Sequence, residues 1–166
     1  MTLFPYTTLF RSRLPATTVG MVRTLAEGIE VDDAKDRIDR EEVHRFISEV
    51  SYWAKGRPRE TQDRLIDEAS RVVGLYHEDR QVGFCRAFTD GVSLAYLADV
   101  YVLPEYRGRG LGEELVREMV ENGPYAGVKW LLHTSDMHSL YRKFGFEEPN
   151  YKVMERRPTR NESESG

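Results

Sequence analysis

Residues 100–122 read VYVLPEYRGRGLGEELVREMVEN. Four β-formers, Val100, Tyr101, Val102 and Leu103, stop at Pro104, which has no N–H to continue a ladder. A basic glycine turn follows: Arg107, Gly108, Arg109, Gly110, Leu111, Gly112. Leu111, Leu115, Val116, Met119 and Val120 then recur at helical spacing, with Glu113, Glu114, Arg117, Glu118 and Glu121 between them. The stretch therefore predicts a strand, a turn and an amphipathic helix. A glycine turn that opens a helix leaves backbone N–H groups at the positive end of the helix dipole, an anion site whose usual guest is phosphate. The turn lacks the Lys-Ser/Thr of a P-loop, and its glycines run G-x-G-x-G, so neither the Mg-nucleotide nor the dinucleotide fingerprint fits.

Upstream, Asp90-Gly91 is a hairpin signal. It separates a strand over 81–88 from a long central strand over 92–102. A tight connection at 78–80 leads back to an apolar strand over 72–77. Helices are predicted over 40–50, with Asp39 as N-cap and Glu42 completing a capping-box-like pair, and over 59–69. Gly56 and Pro58 break the pattern between them, leaving a loop that carries Tyr52, Trp53, Lys55 and Arg57. Residues 29–31 suggest a short first strand. Downstream, Asn122-Gly123-Pro124 is a stop signal. A strand over 128–133, a short helix to about Lys143 capped from Thr134, Ser135 and Asp136, and a last strand over 151–155 complete the pattern.

The chain has 166 residues, 40% hydrophobic and 31% charged, with a net charge of −4. Those values suit one globular domain and argue against a nucleic-acid binder with a broad basic face. No apolar run approaches a membrane span. One cysteine, Cys85, excludes an intrachain disulfide and points to a reducing, cytoplasmic compartment. Its apolar strand setting suggests a small buried hydrophobe and not a nucleophile. Residues 2–12, TLFPYTTLFRS, resemble a translated sequencing adapter, so 1–20 is expected to be an artefactual or disordered leader, with Met21 near the true start. Residues 21–156 then form the domain, and 157–166, polar throughout, form a disordered tail.

Arg107, Gly110 and Gly112 match the R/Q-x-x-G-x-G/A signature of the GCN5-related N-acetyltransferases (GNAT), and residues 97–112 resemble the strand, proline, loop and helix start of that family. A second stretch, Leu140-Tyr141-Arg142-Lys143-Phe144-Gly145-Phe146, resembles the L-Y-x-K-x-G-F ending of such domains. The resemblance implies an α/β fold whose mixed central sheet is splayed and flanked by helices. It also implies that acetyl-CoA lies in the splay, its pyrophosphate on the turn of Arg107, Gly108, Arg109, Gly110, Leu111 and Gly112. Its pantetheine would run along Val100, Tyr101 and Val102. Thr134 stands where many members have an Asn that bonds the pantetheine, and a hydroxyl cannot copy an amide's paired geometry.

Acetyl transfer to an amine needs a deprotonated amine, a donor for the oxyanion and a proton for the departing thiolate. By resemblance Tyr141 is the general acid, and a backbone N–H around Val100 to Val102 is the oxyanion donor. Tyr141 read without the motif is a core residue bridging helix and sheet. Asp99 is a carboxylate inside an otherwise apolar run, which needs a reason because unpaired burial is expensive. It is a base acting through water, an anchor for the substrate ammonium, or a satisfied structural Asp capping a neighbouring loop. His138 shares a helix face with Tyr141. In the family the connection between the first two helices borders the acceptor pocket, which makes Tyr52, Trp53 and Arg57 candidate substrate residues; the alternative is aromatic packing over the helix pair.

The function expected is transfer of the acetyl group of acetyl-CoA to a primary amine of a small molecule, by direct transfer and without a metal. A non-catalytic acyl-CoA-binding sensor is the alternative, and a protein acetyltransferase a third reading. The expected partners are that amine and, for assembly, a second copy of the chain as a homodimer, with no nucleic acid and no membrane.

Overall fold

The computed structural model describes residues 22–149 and 152–157. The leader expected over 1–20 and the tail beyond 157 lie outside the described residues. The chain divides into two units, Met1–Leu132 and His133–Gly166.

The first unit is built on a six-stranded sheet in the order β1-β2-β3-β4-β5-β6. The strands are β1 (Val22–Thr24), β2 (Ile29–Asp32), β3 (Arg71–His77), β4 (Arg80–Thr89), β5 (Leu94–Val102) and β6 (Lys129–Leu131). Neighbours from β1 to β5 are antiparallel, while β5 and β6 are parallel. A parallel pair needs a crossover, which helix α3 (Leu111–Val120) supplies. Strand β1 was not foreseen: three residues, with Arg23 at the centre, give too short a pattern to read. The strand expected over 151–155 is not formed at residues 152–155, and Tyr151 lies outside the described residues.

Helix α1 (Arg40–Arg45) begins where the capping pattern placed it, with the Asp39 side chain accepting from the Glu42 N–H at 3.0 Å. The helix predicted to run to 50 instead widens into a π-turn at Phe46–Val50, closed by Ser51 N–H to Phe46 O at 2.9 Å. The wider turn sets the Phe46 ring flat on Tyr101 of β5, centroids 3.9 Å apart. Helix α2 (Arg59–Asp67) packs on α1.

Side-chain alternation separates the two faces of the sheet. Arg71 of β3, paired with Ala87 of β4, points to α3. Arg86, the neighbour of Ala87, points to the opposite face, where the loop between α1 and α2 lies.

One charged network ties α3 down. Glu118 looked like a polar-face residue of α3, but it is 1% exposed. Its carboxylate takes Arg23 Nε at 2.7 Å and Asn122 Nδ2 at 3.0 Å. Burial pushes the Glu118 carboxyl up, but these donors and the Arg23 and Arg71 charges outweigh it and hold it below its ordinary range. Arg71 donates from Nη1 to the carbonyls of Glu118 (2.6 Å) and Met119 (3.2 Å), placing a cation on the negative end of the helix, and pairs with Asp33 at 3.0 Å. Gly123 sits directly against that guanidinium, so any Cβ there would overlap it. The helix has already ended at Val120, and the glycine's role is to make room for Arg71. Gly123→Ala is expected to cost about 1–3 kcal/mol by displacing Arg71, seen as a drop in Tm of roughly 2–10 °C. An unchanged melting curve would show that Arg71 does not hold the helix end.

In the second unit, α4 (His138–Arg142) is a short helix followed by a turn at Phe144–Phe146 that bonds back to the Tyr141 carbonyl.

Candidate active site

Strand β5 is the spine of the site. It pairs with β6 only through Leu94, Ala95 and Tyr96, so from Leu97 onward its edge on that side has no strand partner among the described residues. The sheet splays there, as expected. On the other side, Phe84 of β4 faces Tyr101 and Arg86 faces Ala98, so Cys85 lies opposite two residues, Asp99 and Val100. That is a β-bulge, and Asp99 holds it in the left-handed region at φ 54°, which Asp tolerates better than most residues.

The expected cofactor residues follow along this strand. Val100 is half-buried, while the Tyr101 ring is committed to its stack on Phe46, which leaves Tyr101 only its backbone for a ligand. The Val102 carbonyl accepts from Arg107 Nε at 2.9 Å, so Arg107 is folded back onto the strand. A 3-10 turn at Pro104–Tyr106 leads into the glycines. Gly108 and Gly110 are left-handed, at φ 77° and 74°, and a Cβ on either would meet nothing within 4 Å. Gly110 is the N-cap of α3, whose ladder starts with Glu114 N–H to Gly110 O at 3.1 Å. The N–H groups of Leu111, Gly112 and Glu113 precede that ladder and point out of the helix end. Glu113 and Glu114, close to this end, are both paired with Arg117. The Arg109 guanidinium lies 5.5 Å from the centroid of the Tyr106 ring. The turn is thus an open cradle of backbone donors between two exposed arginines, and it fits a pyrophosphate.

Asp99 gathers the other candidates. It is 6% exposed. Oδ2 accepts from Arg57 Nη1 and from Arg86 Nε, both at 2.7 Å, and Oδ1 accepts from Trp53 Nε1 at 3.2 Å. Burial raises the pKa of this carboxyl, but the Arg86 and Arg57 charges outweigh it and hold it below the usual carboxylate range. A carboxylate so held is a weak proton acceptor. Its geometry is that of a satisfied structural Asp, the third alternative, although it holds the neighbouring loop through the Trp53 and Arg57 side chains and not by capping its backbone. Arg57 also donates to Gln62 Oε1 at 2.8 Å, and its carbonyl meets His44 Nε2 at 3.0 Å. The loop 51–58 is therefore fixed to the bulge, to α2 and to α1. Trp53 is 42% exposed and Tyr52 61%, stacked edge to face at 5.2 Å, so their rings stand at the surface.

Arg86 was missed in the sequence. The signal was there: the Asp90-Gly91 hairpin sets it beside Ala98 and Asp99, and a cation in an apolar strand needs a partner. Cys85, read as a small buried hydrophobe, is buried, and its thiol is pushed up by that burial.

Tyr141 and Thr134 belong to the second unit. Tyr141 lies in α4, is buried, and meets Phe146 edge to face at 5.8 Å. The Thr134 hydroxyl accepts from the Met137 N–H at 3.0 Å, closing the turn before α4; the helix itself starts from Met137 with no side-chain cap, so Thr134 does not cap it as expected, and its own O–H is left to donate. His138 is exposed in the first turn of α4.

The comparisons agree with this geometry. The acetyltransferase (GNAT) domain family matches residues 68–148. A Gibberella zeae protein named as an acetyltransferase, FG08082, is 38% identical over 124 residues, 61% of this chain and 68% of that protein. The Porphyra purpurea protein ycf52, named as an N-acetyltransferase, is 30% identical over 100 residues, 57% of each chain. A crystal structure from Xanthomonas campestris pv. campestris, xcc2953, described as an acetyltransferase of the GNAT family, superposes with a TM-score of 0.74 at 35% identity, covering 78% of this chain and 93% of that one. The splayed sheet, the glycine cradle at the head of α3 and these relatives together make the chain an acetyltransferase of the GCN5-related (GNAT) family.

Proposed function

We propose that the chain moves the acetyl group of acetyl-CoA to a primary amine of a small molecule by direct transfer, without a metal. The observation that carries this reading is the left-handed Gly108–Gly110 turn at the head of α3, following the stretch of β5 whose edge has no strand partner among the described residues. Acetyl-CoA supplies an acyl group held as a thioester. Arg107, Arg109 and the first N–H groups of α3 hold the pyrophosphate. The free edge of β5 beyond Leu97 bonds the pantetheine, with the Thr134 hydroxyl as a further donor. A backbone N–H next to the bulge, around Val100, donates to the carbonyl oxygen as charge develops on it. The neutral amine nitrogen bonds the carbonyl carbon, Tyr141 gives its phenolic proton to the sulfur as the C–S bond breaks, and the proton that the nitrogen sheds passes through water back to the phenolate.

Asp99 takes no proton in this scheme. It holds Trp53 and Arg57 against the bulge and so shapes the acceptor side. The buried thiol of Cys85 gains nothing from an oxidising compartment, which supports a cytoplasmic setting.

The test is the cradle itself. A Val at Gly110 would hold a β-branched residue at φ 74°, at a strain of about 1–3 kcal/mol, and put methyl groups where a phosphate approaches. Gly110→Val is expected to weaken CoA binding by roughly tenfold or more. Calorimetric titration of CoA into both proteins measures it, and equal affinities would remove the turn from the binding site.

A further inference from the structure

We infer that the acceptor amine also carries an oxyanion, a carboxylate or phosphate, and that Arg86 and Arg57 bind it. The inference rests on the acetyl-transfer reading and adds the charge of the substrate. Two guanidiniums, Arg57 and Arg86, converge on one carboxylate, Asp99, and neither makes another ion pair among the described residues. The cluster therefore carries a net charge of +1. Asp99 already accepts three donors, both cations on Oδ2 and the indole on Oδ1, so little of it remains for a substrate ammonium, which would also meet a cationic neighbourhood.

The arginines, by contrast, are underused. Arg86 is only 8% exposed, yet it donates from Nε alone. Its Nη1 and Nη2 bond no group among the described residues, and neither is sealed from solvent. Arg57 donates from Nη1 alone, leaving Nε and Nη2. A cation kept inside a protein with part of its charge unanswered is costly unless something pairs with it. The planar fork of a guanidinium suits the two oxygens of a carboxylate or phosphate. Asp99 fixes Arg86 by its Nε edge, which leaves the Nη end free.

The location distinguishes this anion site from the pyrophosphate cradle. Arg57, Arg86 and Trp53 lie on the face of the sheet opposite α3, beside the bulge, whereas the cradle is at the head of α3 beyond the end of β5. The exposed face of Trp53 borders the cluster and offers a flat apolar surface to the body of the substrate.

The experiment compares matched amines. Steady-state rates are measured for L-amino acids beside the amines obtained by their decarboxylation, and for phosphoethanolamine beside ethanolamine. One charge-assisted bidentate pair corresponds to roughly a 10–100-fold effect, so the anionic member of the best pair is expected to have a kcat/KM about tenfold or more higher. Arg86→Met should abolish that preference, raising KM for the anionic amine more than for its neutral counterpart, and leave the affinity for CoA unchanged. Arg86→Lys should keep only part of the preference.

In parallel, binding of propionate and of inorganic phosphate to the CoA complex is followed by tryptophan fluorescence. Saturable binding, weakened by Arg86→Met, is expected. Turnover with neutral amines favoured or equal would overturn the oxyanion inference and leave acetyl transfer standing. Saturable anion binding lost in Arg86→Met, with no turnover of any amine, would sustain the anion site and overturn the transfer reading. Absence of both would overturn both. If Arg86→Met does not fold, the matched pairs with the parent protein decide.

Discussion

Tyr141→Phe is expected to lower the maximal rate of acetyl transfer about a hundredfold and to leave acetyl-CoA affinity unchanged. A positioned general acid contributes roughly 10²–10⁴-fold, and the thiol of CoA is already a fair leaving group, which places the effect near the lower end. The substitution removes one hydroxyl and keeps the ring, so the edge-to-face contact with Phe146 survives. The loss belongs in kcat, because the proton is needed only as the thiolate departs. Steady-state kinetics with any accepted amine, beside a CoA titration of both proteins, checks it. Equal rates would make Tyr141 a packing residue of α4. Intact CoA binding by the parent protein with no turnover over a broad amine panel would turn the reading toward an acyl-CoA sensor.

Asp99→Asn carries the largest expected loss of stability. It keeps the shape of the side chain and a residue type that tolerates the left-handed backbone, but it leaves the buried Arg86 and the half-buried Arg57 guanidiniums without their counter-charge. Breaking a buried ion pair by removing one partner costs about 3–5 kcal/mol, or roughly 10 °C in Tm for a chain of this length. The carboxyl is held below its ordinary pKa in the folded state, so its contribution is full above the unfolded value of about 3.9 and is lost as pH falls through the folded value. The gap in Tm between the parent and Asp99→Asn should therefore be widest near neutral pH and close below about pH 4. Asp99→Gly separates the contributions, since it relieves the backbone and still removes the charge. A rise in the KM for the amine is expected with Asp99→Asn, because Trp53 and Arg57 lose their anchor, while the KM for acetyl-CoA stays. Equal melting temperatures at pH 7 would show that the two arginines find compensation elsewhere.

The cradle was legible in the sequence because its conformation is local. Two glycines two residues apart, with a helix-patterned run behind them, require a left-handed turn and free N–H groups whatever packs nearby, and Gly108 and Gly110 take that form. The strands of the meander were legible for a similar reason: Asp90-Gly91 and residues 78–79 fix tight reversals, and β3, β4 and β5 pair across them. The Asp39 cap follows from a spacing of three within one turn.

The acceptor side was only partly legible. The sequence drew attention to Asp99, Trp53 and Arg57 separately, each with two or three readings. Periodicity tells which residues share a face of an element, but not which element covers that face. Asp99 and Trp53 are 46 positions apart and Asp99 and Arg57 42, so only folding brings them onto one carboxylate. The bulge is equally a property of the pair, since a single strand does not reveal where its register with its neighbour slips.

Glu118 is the plainest case. Along the helix it is one of five charged residues on a polar stripe, and nothing within ten residues distinguishes it from Glu114 or Glu121. Its burial is decided by Arg71 from β3 and Arg23 from β1, 47 and 95 positions away, which turn a surface position into the floor of the helix–sheet interface. The sequence by itself determined the glycine turn at the head of α3 and the meander, because these depend on backbone conformations and spacings set within a few residues, while the kind of chemistry came from the motifs that resemble the GNAT family. The tertiary structure decided which charges are buried and what they hold, because a charge can be kept from water only where partners from distant strands arrive to meet it.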